Sequence, residues 1–172
     1  MKLRVSFIAV TGLFLLAGCV RSFSFFGGKT PTPSSRLCAA SDFLTSANAN
    51  RMGSDVALGV TLSYQGQDEC GLSNLPLLTL TDAGGHPLEV RYQSVNPTEA
   101  PEPPRVKAGD QVLAIAIWKD ACTTLPEAGL VIHIEMPGAG RVDAPVSIAG
   151  LATCPGGGYS SSVEINPYTY PP

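Results

Sequence analysis

Charge is scarce in this chain and positive charge is not in excess. Only 15% of its 172 residues are charged, against about 25% in average soluble proteins. The formal charge at pH 7 is −3. Binding to a phosphate backbone depends on clustered lysine and arginine, which this composition does not supply. Nucleic-acid binding is therefore excluded as a function class.

Catalytic motifs are also missing. The sequence has two histidines and contains no Gly-x-Ser-x-Gly element, phosphate-binding loop, His-Glu-x-x-His pair or dinucleotide fingerprint. Its cysteines include no Cys-x-x-Cys pair and do not follow a zinc-binding spacing. We therefore expect no catalytic residues, no metal site and no cofactor, and we expect that the protein is not an enzyme.

The N-terminus does carry a signal. Lys2 and Arg4 precede a mostly apolar run, Val5 to Ala17, which has the length of a signal-peptide core and is too short to span a bilayer comfortably. The run ends in Leu15-Leu16-Ala17-Gly18-Cys19, which resembles the bacterial lipobox. That resemblance implies diacylation of the Cys19 sulfur and cleavage just before this cysteine. An ordinary signal peptide or a short anchor helix is the alternative interpretation.

We divide the chain into four parts. These are a lipoprotein signal peptide (1–18), a lipidated N-terminus with a flexible Gly/Pro/Ser/Thr tether (19–36), a folded domain (37–168) and a C-terminal tail (169–172). The lipid is expected to hold the protein on the extracytoplasmic face of a bacterial envelope. Val20, where an Asp would favour retention in the inner membrane, indicates the outer membrane if the source has two membranes, and otherwise the cell membrane.

Apolar residues in the folded domain recur with a period of two. Ser54 to Tyr64 places five large side chains on one face and small or polar ones on the other, and Gln111 to Trp118 is apolar on both faces and so predicted to be central. Gly- and Pro-containing turns separate the segments, and no segment keeps a period of 3.6. The pattern predicts an antiparallel, immunoglobulin-like β-sandwich of about eight strands. The other predicted segments are 41–48, 75–81, 88–93, 130–136, 142–149 and 161–166.

Five cysteines divide into one lipid attachment and four structural partners. Once Cys19 is set aside, an even number remains in an exported chain, so disulfides are expected. Of the three pairings, we favour Cys38–Cys70 and Cys122–Cys154, each closing a separation of 32 residues. Each pair brackets strands that leave and return, which brings both cysteines to one end of a sandwich.

The segments around the first two of these cysteines resemble a family. Cys38-Ala39-Ala40-Ser41-Asp42, then Cys70-Gly71-Leu72-Ser73-Asn74-Leu75-Pro76, Gly84-Gly85-His86-Pro87-Leu88 and Val106-Lys107-Ala108-Gly109-Asp110 are similar to elements of a domain family of unknown function in secreted bacterial lipoproteins. The likeness covers about residues 37 to 167. Asn74 stands where that family usually has Gly, and Gln65-Gly66 where it often has an Asn-x-Gly turn. The resemblance implies a disulfide-bonded β-sandwich and brings no catalytic residues.

Candidate functional residues are few. His133 and Glu135 share a strand face, as a proton-transfer pair, half of a metal site, or a polar outer surface, and the last interpretation is favoured. His86 lies in a turn and is expected to be exposed. Trp118 is expected to pack on a disulfide at Cys122, with ligand stacking as the alternative. An acidic, proline-rich loop at 96–104 either bridges the sheets or presents a binding surface.

The function that follows is a membrane-anchored binding or interaction module with an envelope protein as its partner. Two alternatives stay open. One is a metal-handling or hydrolytic protein that uses His133 and Glu135, with His86 as a further ligand. The other is an inhibitor of a secreted protease that acts through the proline-rich loop. The sequence does not indicate an oligomeric state.

Overall fold

A computed structural model describes residues 36–95, 102–121, 125–126, 129–148 and 161–172. The chain divides into two units, Met1–Pro33 and Ser34–Pro172, and all described residues belong to the second. No helix within these ranges is long and apolar enough to cross a membrane. The regular elements of the described part are β-strands and a 3-10 turn at Ala40–Asp42.

Eight strands of four or more residues and two strands of two residues occur within the described ranges. They are β1 (Phe43–Met52), β2 (Asp55–Tyr64), β3 (Cys70–Gly71), β4 (Leu77–Asp82), β5 (Arg91–Ser94), β6 (Arg105–Val106), β7 (Gln111–Lys119), β8 (Leu130–Met136), β9 (Gly140–Val146) and β10 (Ser162–Ile165). They form a five-stranded sheet in the order β1-β2-β7-β10-β5, a three-stranded sheet in the order β4-β8-β9 and a two-stranded ribbon of β3 and β6. The predicted β-sandwich is confirmed.

The core follows from side-chain alternation. Residues with even numbers along β2 and β7 are buried, and Val56 on β2 pairs directly with Trp118 on β7. The opposite sheet contributes alternate residues of β4, β8 and β9. Because successive strand residues point to opposite faces, each sheet has one buried and one more exposed side. As predicted, β7 is central, the third of five strands.

One predicted strand differs from the structure. The alternation of Leu88, Val90 and Tyr92 with polar residues predicts a half-buried strand at 88–93, but β5 begins at Arg91 and all four of its residues are exposed. It pairs in parallel with β10 at the edge of the larger sheet. An edge position explains the exposure, because a strand with one neighbour is covered on only one side.

Cys38 and Cys70 form a disulfide, as the sequence predicts. Both cysteines are buried, and Cys70 opens β3 at the end of the sandwich where the described chain begins. Hydrogen bonds also fix the backbone beside the disulfide. The Cys38 amide donates to the Gly71 carbonyl at 3.0 Å, and the Gly71 amide donates to the Arg36 carbonyl at 2.9 Å. Cys19, Cys122 and Cys154, and with them the second predicted disulfide, lie outside the described residues.

Candidate functional site

Three side chains form a hydrogen-bonded row across the outer face of the smaller sheet. His133 on β8 lies between β4 and β9, where Thr79 and Asp143 are its register partners and Thr81 is the next residue along β4 on the same face. Its Nε2 lies 2.9 Å from the Thr81 hydroxyl and its Nδ1 lies 2.7 Å from Oδ1 of Asp143. The predicted polar outer face of β8 is therefore present, but His133 is only 8% exposed. The row joins all three strands of the sheet.

Electrostatics reinforces this row. The hydrogen bond from His133 lowers the pKa of Asp143 below its usual value, against a smaller opposing effect of burial, and Arg141 adds a further hydrogen bond to the same carboxylate. The Arg141 Nε lies 2.8 Å from Asp143 Oδ1. A pocket of about 410 Å³ opens beside the row, with Thr81, His133 and Arg141 among its lining residues. We refer to it as the sheet-face pocket.

The carboxylate that contacts His133 differs from the predicted one. Glu135 lies on the same face but is exposed, and in register it faces Leu77 and Arg141. Within the described ranges no group of three or more His, Cys, Asp or Glu side chains is arranged to hold a metal ion. The turn predicted at residues 137–140 centres the β8–β9 hairpin on residue 138, which puts 143 opposite 133. That spacing was the signal that could have identified Asp143.

His86 is exposed, as predicted for its turn. Its backbone amide donates to Oδ1 of Asp82 at 2.8 Å, and its Nδ1 lies 2.9 Å from Oδ2 of the same carboxylate. These hydrogen bonds lower the pKa of Asp82 below its usual value. The contacts close the turn after β4, and these hydrogen bonds of His86 go to Asp82, whereas His133 contacts Thr81 and Asp143.

Trp118 does not stack on a ligand, because it is fully buried. Its indole N–H donates to the hydroxyl of Ser161, which itself donates to the Lys119 carbonyl at 3.3 Å. Ser161, the first residue of the predicted segment 161–166, is only 5% exposed. A buried indole needs an acceptor, and this hydroxyl supplies it. The expected contact with Cys122 lies outside the described residues, as do residues 96–101 of the proline-rich loop.

A second site, which the sequence did not reveal, lies where the β3–β6 ribbon meets the start of β7. It is an open cleft of about 660 Å³, called here the end cleft. Charged and polar side chains from two stretches of the chain, residue 69 and residues 105–111, line it, together with one tyrosine of the C-terminal segment. They are Glu69, Arg105, Lys107, Asp110, Gln111 and Tyr170.

A tight turn forms one wall of the end cleft. The Asp110 amide donates to the Lys107 carbonyl at 2.9 Å, and the Lys107 amide donates back to Oδ2 of Asp110 at 3.0 Å. Gly109 has a φ of +86°, which glycine adopts without the steric cost that other residues incur at this turn position. The Asp110 carbonyl accepts the amide of Tyr64 at 2.9 Å. The turn is therefore fixed to the end of β2.

The C-terminal segment forms the opposite wall. Thr169 forms a two-way backbone bridge with Leu113 of β7, at 2.7 and 3.0 Å. The next side chain, Tyr170, is 53% exposed, but its hydroxyl donates to the Arg105 carbonyl at 2.6 Å. An ion pair between Arg105 and Glu69 completes this side of the cleft. The tyrosine ring is thus held at its tip and open to solvent along much of its surface.

The end cleft could not be found from local sequence patterns. Arg105 and Glu69 are 36 residues apart, and β3 and β6 have two residues each, too short to show a period. The turn at 106–110 is visible in the sequence as part of the family resemblance, but nothing there indicates a site. Tyr170 falls in the segment interpreted as a tail.

Comparisons with known proteins do not assign a function to either site. No family model, no curated protein and no solved structure matches the chain.

Proposed function

We propose that this protein is an exported, lipid-anchored component of a bacterial envelope that acts as a binding module through its end cleft. Two acyl chains on Cys19 would give stable attachment, where a single chain is marginal. A tether of 17 residues, 20–36, spans on average roughly 20–25 Å. In this proposal the lipid and the tether hold the β-sandwich just above the membrane, and the β-sandwich carries the surface that binds the partner. The lipobox-like sequence that ends at Cys19 supports the location.

The arrangement of the end cleft carries the binding proposal. Its side chains are charged and accessible, and several are held in place by contacts within the cleft. Arg105 is paired with Glu69, Asp110 closes its own turn, and Tyr170 is bonded through its hydroxyl. Fixed groups lose less conformational entropy when they bind than mobile ones do. The volume of the cleft falls within the range of about 300–1,000 Å³ that is usual for ligand sites.

Site-specific photo-cross-linking in intact cells tests this proposal. A photoreactive amino acid replaces Lys107 in the end cleft, and in a second variant it replaces Asn50, an exposed residue of β1 on the larger sheet. We expect an adduct of higher mass at position 107 and none at 50. Equal yields at the two positions, or no adduct at 107, would contradict binding through the cleft.

The Thr81–His133–Asp143 row favours a second candidate function, which is ester hydrolysis. Hydroxyl, imidazole and carboxylate stand in the order used by serine hydrolases. In this scheme His133 Nε2 takes the proton as the Thr81 oxygen attacks the ester carbonyl carbon. The protonated imidazole then gives that proton to the departing alcohol. Water, activated by His133, releases the acid and restores Thr81.

Hydrolysis of p-nitrophenyl acetate by the full chain tests this candidate. Thr81→Val keeps the shape of the side chain and removes the hydroxyl, so it should abolish turnover, whereas Thr61→Val, on β2 of the larger sheet, should not. Turnover that persists in Thr81→Val, or that is absent in the unaltered chain, excludes this row as a hydrolase site.

A further inference from the structure

We infer that the end cleft binds an uncharged, polyhydroxylated ligand, namely a segment of an envelope glycan. The inference deepens the proposed function and rests on it. The charges, the hydrogen-bonding groups and the aromatic surface of the cleft each favour such a ligand.

The charges of the cleft are balanced. Arg105 and Lys107 carry positive charge, and Glu69 and Asp110 carry negative charge. Recognition of a charged partner relies on a surface of opposite sign, which attracts it and rejects others. A cleft with two cations and two anions offers no such field to a polyanion or a polycation. Its electrostatics therefore fits a ligand without net charge.

The hydrogen-bonding groups are mixed in the same way. Guanidinium and ammonium groups only donate, and carboxylates only accept, while the amide of Gln111 does both. A hydroxyl group donates one hydrogen bond and accepts two. A ligand with many hydroxyls can therefore satisfy neighbouring donors and acceptors together. A purely accepting ligand, such as a phosphate, would leave the carboxylates opposed.

The tyrosine supplies the apolar part of the site. Tyr170 is 53% exposed although its hydroxyl is bonded to the Arg105 carbonyl. The C–H faces of a sugar ring are apolar and pack on aromatic rings, while its hydroxyls project from the edge. An aromatic ring provides a large contact area at a low cost in side-chain entropy. Tyr170 and the adjoining polar groups thus match the two sides of a sugar ring.

The shape of the cleft suits a chain rather than a small enclosed molecule. About 660 Å³ of space lies open to solvent between the 107–110 turn and the C-terminal segment. An open cleft lets a polymer enter and leave without being threaded. On the extracytoplasmic side of an envelope, which the proposed location gives, glycan polymers are the abundant polyhydroxylated chains.

Calorimetric titration of the full chain, held in a zwitterionic detergent that has no sugar headgroup, tests the inference. The probes are three neutral tetrasaccharides (maltotetraose, cellotetraose and N-acetylchitotetraose), with polyphosphate and tetralysine as charged probes. We expect saturable binding of at least one neutral probe with a Kd below about 1 mM. Its affinity should change less than about two-fold between about 50 and 500 mM salt, because screening acts on charge.

Variants assign the binding to the cleft. Tyr170→Ala should weaken the binding at least about ten-fold, Gln111→Ala should weaken it measurably, and Tyr170→Phe, which keeps the ring, should stay within about three-fold. Leu44→Ala is the control, since it removes a large side chain from β1 that is 64% exposed, against 53% for Tyr170. Trp118 fluorescence checks that each variant is folded.

Other outcomes overturn the inference. Preference for a charged probe, no binding by any neutral probe, or equal binding by Tyr170→Ala each contradicts a glycan site. A protein adduct at position 107 without oligosaccharide binding would keep the proposed binding function and remove the glycan. The absence of both an adduct and binding would remove both proposals.

Discussion

His133 and Asp143 stand directly opposite each other on β8 and β9, with Nδ1 and Oδ1 2.7 Å apart. The histidine is 8% exposed while half of the aspartate side chain is accessible. The pair therefore links the central strand of the smaller sheet to its edge strand at the boundary of solvent. It has a structural consequence whether or not the row catalyses a reaction.

Acid should weaken this link. The hydrogen bond from His133 lowers the pKa of Asp143 in the folded protein. Because the unfolded chain takes up the proton at a higher pH, the stabilisation is present above the unfolded-state pKa of about 3.9 and is lost as the pH falls below it through the lower folded-state pKa. Asp143→Asn should lower the free energy of unfolding at pH 7 by about 0.5–1 kcal/mol, a modest value for a half-exposed carboxylate.

Urea unfolding at pH 7 and pH 3 checks this expectation. The difference between the unaltered chain and Asp143→Asn should shrink at pH 3, and Glu89→Gln, at an exposed loop carboxyl, should show little effect at either pH. A difference of the same size at both pH values would argue against the titration of Asp143 as its source.

The buried hydrogen bond between Trp118 and Ser161 should contribute to stability. Ser161→Ala would leave the buried indole N–H without this acceptor, which costs about 1–3 kcal/mol of stability. Trp118 is the only tryptophan, so its fluorescence reports urea unfolding directly. Ser162→Ala, one residue along on the less buried face, is the control. Equal stability of the two variants would mean that the hydroxyl is dispensable.

Removal of the Cys38–Cys70 disulfide should be costly. The bond closes a separation of 32 residues, and the loop-entropy account gives about 3–4 kcal/mol for a loop of this length. The double variant Cys38→Ala/Cys70→Ala should lose that amount in urea unfolding without reductant. Because Cys122 and Cys154 stay in both chains, the comparison isolates the first bond. A loss below about 1 kcal/mol would show that the unfolded chain is hardly constrained by it.

Cleavage of the signal peptide and acylation should depend on Cys19. Cys19→Ser is expected to leave an uncleaved precursor that does not incorporate labelled fatty acid, because the thiol is the predicted site of acylation. Gel mobility and metabolic labelling measure both effects, and inhibition of the lipoprotein signal peptidase should reproduce the precursor. Normal processing of Cys19→Ser would contradict the lipoprotein prediction.

Alternation of buried and exposed residues along a strand can be predicted from the sequence, whereas pairing between strands that are distant in the sequence cannot. The alternation along β2 and β7 is visible because one face of each strand is buried. The predicted segment begins at residue 88, three residues before β5 begins. All residues of β5 are exposed, so burial does not impose a pattern on them. The parallel pairing of β5 with β10 joins residues about 70 apart, such as Arg91 and Ser162, and no turn specifies it.

The two sites differ in the same way. Asp143 faces His133 across one short hairpin. The position of the predicted turn is therefore sufficient to place these two residues opposite each other. Thr81 contacts the same histidine because β4 pairs with β8. These two strands are separated in sequence by β5, β6 and β7. The end cleft combines side chains from residue 69 to residue 170, so only the folded chain brings them together.

Cross-linking in cells shows whether the anchored sandwich binds through its end cleft. The cross-linking amino acid is placed at position 107 in cells that carry either Tyr170 or Tyr170→Ala in the same chain. We expect an adduct at 107 that is reduced at least about ten-fold by Tyr170→Ala at equal protein levels. An adduct of unchanged yield in Tyr170→Ala, or no adduct in either chain, would contradict it.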